Sequence, residues 1–166
     1  MFRVSGVPTS KNPEYMTDAG SASAARVIEG AISDWAKCLS ELGRNDEAAV
    51  AFEEAIRQAN ELGDRRLAAT EIGNLGRVRL GQKRYAEALE CLAEAMKIFE
   101  SLGEPNSVAR IWHQIGMVHK EAGQFEQAEQ AYRESLAISV QQKNQSYEAN
   151  SLGELGNLYK QIGRLE

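Results

Sequence analysis

The sequence predicts an all-α fold, a right-handed α-solenoid of antiparallel helix pairs with about three and a half repeats. The first observation is that residue types recur every 40 positions. A period of about 20 to 50 residues is typical of solenoids, whose small units bury their apolar faces by stacking on their neighbours. The second observation is that the only prolines, Pro8, Pro13 and Pro105, leave the repeated part free of helix breakers except at one predicted junction.

Positions 40 residues apart, which we call a column, carry similar side chains in successive repeats. The clearest columns are Gly76, Gly116 and Gly156, with Ala36 in the same place; Ala48, Ala88 and Ala128; and Phe52, Leu92 and Tyr132. Small residues allow the two helices of a pair to approach closely, and bulky residues fill the layers between repeats. We therefore expect a constant rotation per repeat and a curved array whose inner surface is lined by the first helix of each pair.

The first three helices follow from apolar periodicity and from turn residues. The first begins at Ala24, where apolar residues start to recur every three or four positions. It ends at Gly43, since glycine readily adopts the left-handed conformation just past a helix end. The second begins near Asn45 and ends at Gly63, and the third follows Asp64, whose carboxylate can cap it. Loops of two or three residues make neighbouring helices antiparallel.

The remaining four helices repeat the same design. The fourth begins at about Tyr85, and the fifth opens with Pro105, which suits a first helical turn because no hydrogen-bond donor is lost there. The sixth begins near Phe125, and the seventh spans about residues 146–162. Together these elements predict three complete helix pairs and half of a fourth.

Composition divides the chain into a leader and a repeat domain. Residues 1–22 are rich in Ser, Gly, Pro, Asn and Thr without apolar periodicity, which predicts a flexible leader. Residues 23–166 form the predicted repeat domain. Its repeats are expected at about 24–63, 64–103, 104–143 and, truncated, 144–166.

Two positions depart from the repeat pattern. Gly81 comes two residues earlier than the closing glycines of the other repeats, so we expect an altered turn there. Arg79 shares a column with Leu39, His119 and Tyr159, so its side chain is expected either to snorkel or to face the edge of the inner surface.

Composition also limits the class of protein. The net charge of −5 argues against a general nucleic-acid binder, because affinity for phosphates needs a basic surface. The two cysteines, Cys38 and Cys91, lack metal-ligand or redox spacing, and Cys91 lies in a column of small buried residues. No stretch has the length of a signal-peptide core or the roughly 18 apolar residues of a membrane span. These features predict a cytoplasmic protein.

No catalytic or metal site is expected. His113 and His119 are six residues apart on different helix faces, so they are not a metal pair. His119 lies in a structural column and is expected to be half-buried. The sequence lacks a glycine-rich phosphate loop, a nucleophile elbow and a zinc signature. We therefore expect neither an enzyme nor a cofactor.

The columns resemble the tetratricopeptide repeat family over roughly residues 24–166. The matching positions are Ile115-Gly116, Gly123, Phe125 and Ala128, followed by Leu155-Gly156, Tyr159 and Gly163. The period of 40, compared with the family's usual 34, is similar to the repeats of kinesin light chains, cell-polarity adaptors and bacterial regulators. The resemblance implies a protein interaction module whose concave groove binds a peptide or partner segment, as a fragment of a larger scaffold or regulatory protein.

Residues on the exposed stripes of the first helices are the candidates for this groove. They are Lys37, Thr70, Asn74, Arg77, Arg110, His113, Gln114, Met117, Lys120, Asn150 and Asn157. Asparagine amides both donate and accept, so they can fix a peptide backbone without reading its sequence. Basic groups outnumber acidic ones on these stripes, which favours an acidic segment or a C-terminal carboxylate. The alternative is that these residues are only solvated.

The resemblance also limits the groove chemistry. The family's carboxylate clamp uses lysine and asparagine in its first repeat, whereas Ser33 and Lys37 take those places here, although Asn74 agrees. We therefore do not expect a chaperone-type clamp.

Two other functions are open at this point. The eighth helix would begin where the sequence ends, so Leu158 and Ile162 are expected to be partly exposed and could support a homodimer through the last helix. The chain could also be a sensory repeat domain that controls an attached effector domain.

Overall fold

The structure, a computed structural model, describes residues 14–163, with side chains for residue 20 and residues 23–163. Seven α-helices lie in this part of the chain and no strand does. They are α1 (Glu14–Glu41), α2 (Asn45–Glu61), α3 (Arg65–Gly81), α4 (Tyr85–Ser101), α5 (Pro105–Glu121), α6 (Phe125–Gln141) and α7 (Gln145–Gln161). The all-α prediction is confirmed.

The first helix begins earlier than its periodicity indicated. Because α1 starts at Glu14, residues 14–22 are helical although their composition predicted a leader. The rest of the predicted leader, residues 1–13, lies outside the described residues.

The turns repeat every 20 residues. Helices α2 to α7 each have 17 residues. The turn before each of them contains one residue with positive φ, and these residues are Gly43, Gly63, Lys83, Gly103, Gly123 and Lys143. As predicted, the Asp64 carboxylate caps α3 by accepting a hydrogen bond of 3.0 Å from the Leu67 N–H. The 40-residue repeat is therefore a pair of 20-residue helical units.

The expectation of an altered turn at Gly81 is wrong. Lys83 takes the place of the closing glycine with φ of 61°, so the turn keeps the form of the others. The left-handed conformation costs a lysine about 1–2 kcal/mol, and packing of the surrounding helix pair offsets this cost. Gly81 has another role, because a Cβ there would lie 2.9 Å from Asn45 Nδ2 of α2.

Helices pack in chain order, as in a solenoid. Each helix contacts the next one, and α5 also contacts α3 and α7. Contacts as extensive as these are not found between two even-numbered helices among the described residues. The odd-numbered helices are therefore closer together, as on the inner side of a curved array.

Small residues opposite large ones bring the helices of a pair together. A Cβ on Gly76 would lie 3.0 Å from Leu92 Cγ, and one on Gly116 would lie 2.6 Å from the Tyr132 ring. The predicted close approach is confirmed at these two positions. Within the described residues, no atom lies within 4 Å of the corresponding place at Gly156.

Arg79 fills its apolar column by pairing its charge. Its side chain is mostly buried, and its guanidinium lies 2.7 Å from Glu53 of α2 and 3.5 Å from Glu87 of α4. Because both partners are on even-numbered helices, Arg79 does not face the inner side. Leu158 is fully buried against Tyr132 and Leu155, so its predicted exposure is wrong, whereas Ile162 is half-buried.

Candidate functional site on the inner face

Four columns of the odd-numbered helices form the surface that we call the inner face. They are Gly30, Thr70, Arg110 and Asn150; Ser33, Gly73, His113 and Gly153; Asp34, Asn74, Gln114 and Glu154; and Lys37, Arg77, Met117 and Asn157. Contacts between successive odd helices involve these columns: a Cβ on Gly73 of α3 would lie 3.2 Å from Ile111 Cδ1 and 3.8 Å from Gln114 Oε1 of α5.

Part of the predicted groove is exposed. Arg77, Asn150 and Asn157 are exposed, and Thr70 is half-buried with its hydroxyl donating to the Arg66 carbonyl at 3.0 Å. Lys37 is exposed as well, but its Nζ donates to Asp34 at 3.1 Å. Lys37 therefore has its charge partly satisfied within its own helix.

The predicted exposure of Asn74 is wrong. Its side chain is only 8% exposed, and Nδ2 donates to Glu71 Oε2 at 3.1 Å. Ser33 of α1 donates to the other oxygen of Glu71 at 3.0 Å. Asn74 is thus held in a buried polar cluster that joins α1 to α3, because the neighbouring odd helix covers this column.

The exposure predicted for Gln114 is wrong for the same reason, since this residue is only 7% exposed. Its Oε1 and the Nδ1 of the adjacent His113 are buried, and neither has a hydrogen-bond partner among the described residues. The His113 ring lies 5.5 Å from the Tyr132 ring, and burial lowers the pKa of His113. His113 is therefore neutral near pH 7.

The other predicted residues on α5 lie beside this pair. Arg110 is half-buried, with its guanidinium carbon 5.6 Å from the centre of the Phe99 ring. Met117 is half-buried against the cluster that contains Tyr132. Lys120 donates to Glu154 of α7 at 2.7 Å, so it is already paired. Of the predicted cations, Arg77 and Arg110 have no salt bridge among the described residues.

A cavity that the sequence did not predict lies between α1 and α3. Its volume is about 370 Å³. Its lining includes Glu29, Ser33 and Lys37 of α1, with Thr70 and Glu71 of α3. Glu29 is buried, and its Oε1 has no hydrogen-bond partner in the described part of the chain. Burial, followed by repulsion from Glu71, raises the pKa of Glu29.

A sequence signal for this cavity exists in the columns. Glu29 stands in a column that otherwise holds Ala69, Ala109 and Ala149, and Glu71 stands in one with Ala31, Ile111 and Ser151. A carboxylate at a position where other repeats carry small or apolar residues is unexpected, and it occurs twice at the same junction.

Two other kinds of site were sought in residues 14–163. No group of three His, Cys, Asp or Glu side chains there could hold a metal ion. None of the helices in that range combines the length and apolar character needed to cross a membrane.

Comparison with known proteins identifies the repeats. The family model described as tetratricopeptide repeat matches residues 28–101, 66–141 and 107–166, which together cover most of the chain. No curated protein matches the sequence.

Three solved structures are similar to the chain. BtubC (BKLC) from P. vanneervenii is 23% identical with a TM-score of 0.71, over 84% of this chain and 58% of that one. Aspartyl phosphate phosphatase F from Bacillus subtilis is 20% identical with a TM-score of 0.69, over 89% and 41%. The N-terminal domain of stress-induced protein-1 (STI-1) from C. elegans is 15% identical with a TM-score of 0.61, over 81% and 97%. At these identities the similarity shows the fold alone.

Proposed function

Because the chain belongs to the tetratricopeptide repeat family, we propose that it is an interaction module that binds a peptide or partner segment on its inner face. The observation that carries this proposal is the pair of orphaned polar atoms on α5, Gln114 Oε1 and His113 Nδ1. A buried polar atom without a partner costs about 1–3 kcal/mol, and a bound ligand would recover that cost.

The chemistry of this pair suits a peptide backbone. Gln114 Oε1 accepts a hydrogen bond, and the neutral His113 ring donates or accepts according to its tautomer. An extended segment offers an N–H and a C=O at each residue, so it can satisfy both atoms without a particular sequence. Gly73 of α3 lies beside this pair, since a Cβ there would lie 3.8 Å from Gln114 Oε1.

The charges near this pair favour an acidic residue or a C-terminal carboxylate in the same segment. Arg77 is exposed and Arg110 is half-buried, with no salt bridge to either among the described residues. Charge-assisted hydrogen bonds from arginine contribute roughly 1.5–3 kcal/mol each. Because the helices form the surface before a ligand arrives, binding requires little ordering of the protein.

A role within a larger scaffold, regulatory or signalling protein is part of this proposal. The chain spans 58% of the BtubC structure and 41% of the phosphatase structure. A cytoplasmic location and the absence of enzymatic activity remain our predictions, and the free thiols of Cys38 and Cys91 support the first of them.

The test is a selection of random peptides displayed on phage against the full chain, followed by affinity measurements on the selected peptides. Gln114→Ala combined with Arg77→Ala should weaken binding at least about tenfold, since each change removes a contact worth roughly 1 kcal/mol or more. Lys97→Ala on the outer surface of α4 is the matched control and should bind as the wild type does. Equal affinities of all three proteins, with unchanged circular dichroism, would exclude the inner face.

A second candidate function is self-association, favoured by apolar side chains that are covered elsewhere in the array. Leu152 is 51% exposed, whereas Ile72 in the same column is buried, and Trp35 is 56% exposed although Leu75 in its column is buried. Light scattering over a concentration series should then show a dimer that Leu152→Glu abolishes. A constant monomer mass would reject this candidate and leave the first one intact.

A further inference from the structure

We propose that the cavity between α1 and α3 binds the cationic side chain of a lysine or arginine of the partner. This inference rests on the proposed function and specifies one residue of the bound segment. It gives the inner face two chemically different ends, with a carboxylate site at α1 and α3 and cationic side chains on α3 and α5.

The first argument is that Glu29 opposes folding where it stands. It is only 4% exposed, and its Oε1 has no hydrogen-bond partner among the residues that the structure describes. A buried carboxylate is stable only when it is paired and hydrogen-bonded. The other repeats place Ala69, Ala109 and Ala149 at this position, so the fold itself does not need a carboxylate there.

The second argument is that the neighbouring carboxylate is already held in place. Glu71 accepts one hydrogen bond from Ser33 Oγ and one from Asn74 Nδ2, which fix both of its oxygens. Glu71 therefore contributes a fixed negative charge beside Glu29. In a preformed site for a cation, polar contacts are expected to orient one carboxylate while another carboxylate has no hydrogen-bond partner.

The third argument is that both cations that line the cavity already have a hydrogen-bonded partner. Lys37 Nζ donates to Asp34 at 3.1 Å, and Arg66 Nε donates to Glu104, the residue before α5, at 2.6 Å. Among the described residues that line the cavity, four carboxylates therefore face two cations that already have partners; the carboxylates are those of Glu29, Asp34, Asp64 and Glu71. The lining therefore carries two more carboxylates than cations.

Size and ligand chemistry favour a side chain over a metal ion. A volume of about 370 Å³ is at the lower end of the roughly 300–1,000 Å³ typical of ligand pockets, which suits a single long side chain. No three metal-ligating side chains converge among the residues whose side chains the structure describes. A protonated amine has three N–H donors and a guanidinium has five, and the carboxylate oxygens of Glu29 and Glu71 can accept hydrogen bonds from them.

Titration of Glu29 supports the same interpretation. Burial and Glu71 raise the pKa of Glu29, and a cation beside it would lower that pKa again. The charged groups around it are Asp34 and Lys37 on α1, and Asp64, Arg66 and Glu71 at and within α3. Binding of a cation should therefore weaken as the pH falls through the pKa of Glu29.

The experiment is an NMR titration of the full chain with three capped amino acids, which are Nα-acetyl-lysine methylamide, Nα-acetyl-arginine methylamide and the uncharged Nα-acetyl-norleucine methylamide. We expect the two cationic probes to give saturable shifts in the backbone amides of Gly30, Ser33 and Thr70, and the norleucine probe to give none. Glu29→Gln should weaken the cationic probes at least about tenfold, the loss of one charge-assisted contact. Glu90→Gln, an exposed position on α4, should leave them unchanged.

Glu29→Ala is a second variant for the case in which Glu29→Gln does not fold. It should fold because alanine is the residue that the other repeats carry at this position. Absence of saturable shifts with both cationic probes, equal shifts with norleucine, or undiminished binding to Glu29→Gln would each overturn the proposal. Phage-selected peptides that depend on Gln114 and not on Glu29 would refute this inference and leave the proposed function standing. Binding of the capped lysine or arginine, without any phage-selected peptide, would support this inference and refute the proposed function.

Discussion

Glu29 and Glu154 are carboxylates on odd-numbered helices at opposite ends of the array, and their surroundings differ. Glu154 of α7 lies 2.7 Å from Lys120 Nζ of α5 and 3.5 Å from the hydroxyl of Tyr132. Glu29 of α1 is more deeply buried, and its Oε1 has no such partner among the side chains that the structure describes. The junction between α5 and α7 thus satisfies its own charge, whereas the junction between α1 and α3 does not.

The difference separates a contact that stabilises the fold from a group available to a ligand. The ion pair of Glu154 joins two repeats, so its removal should weaken the array. The carboxylate of Glu29 is present at a cost to the fold, and such costs are typical of functional positions. Substitution of these two glutamates is therefore expected to change the free energy of unfolding with opposite signs.

The largest effect should come from disturbing the paired junction through its packing. In Gly116→Ala, the added Cβ would lie 2.6 Å from the buried Tyr132 ring, which in turn lies beside Glu154. We expect a loss of about 1–3 kcal/mol in the free energy of unfolding, measured by urea denaturation.

Gly156→Ala is the matched control in the same column, because no described atom lies within 4 Å of the new Cβ. An exposed helical alanine should stabilise by about 0.5–1 kcal/mol relative to glycine. Equal effects of the two substitutions would show that Tyr132 moves aside without cost.

The next effect concerns the unpaired junction and has the opposite sign. Glu29→Ala removes a buried carboxylate whose Oε1 has no described partner. It should raise the free energy of unfolding by about 1–3 kcal/mol at pH 7. Urea denaturation beside the wild type measures the difference, and a destabilised variant would show that Glu29 makes a stabilising contact.

A smaller loss is expected on removal of the cation at the paired junction. In Lys120→Met the Glu154 carboxylate loses its partner at 2.7 Å, although both side chains are partly exposed to water, at 21% and 26%. Water compensates part of the loss, so we expect destabilisation of about 0.5–1.5 kcal/mol. An unchanged midpoint in urea would mean that the ion pair contributes nothing, and the contrast with Glu29 would disappear.

The smallest effect is the pH dependence of the Glu29→Ala difference. The folded chain raises the pKa of Glu29 above the ordinary value of 4.5, so the folded state binds this proton more tightly than the unfolded state. The contribution of Glu29 to stability is therefore complete below pH 4.5 and is lost as the pH rises through the raised pKa. The gap between the melting temperatures of the two proteins should narrow as the pH falls from 7 to 4, and a constant gap would contradict the raised pKa.

The fold could be predicted from the sequence because its columns are repeated. Gly76 and Gly116 each lie against a bulky residue of the next helix, as their columns indicated. Lys83 could not be predicted as a turn residue. Lysine adopts the left-handed conformation only at a cost in free energy, and only the folded helix pair shows that lysine does so here.

The candidate site was predicted less well. Asn74 and Gln114 were expected to be exposed because polar residues on an amphipathic helix usually face water, yet the neighbouring odd helix covers their column. Their burial depends on how closely successive repeats approach, which no single helix encodes. The exceptions at Glu29 and Glu71 were visible in the columns, but only the structure shows that they line one cavity.

Because most contacts join each helix to the next one, parts of the array can open locally. In such linear arrays, the terminal units unfold more readily than the central ones, whose amide protons exchange most slowly with solvent. The largest apolar cluster joins α3, α4, α5 and α6, whereas Glu29 lies on the outermost described helix. A cationic side chain seated between Glu29 and Glu71 would fasten that helix to α3, so occupancy should appear as slower amide exchange along α1.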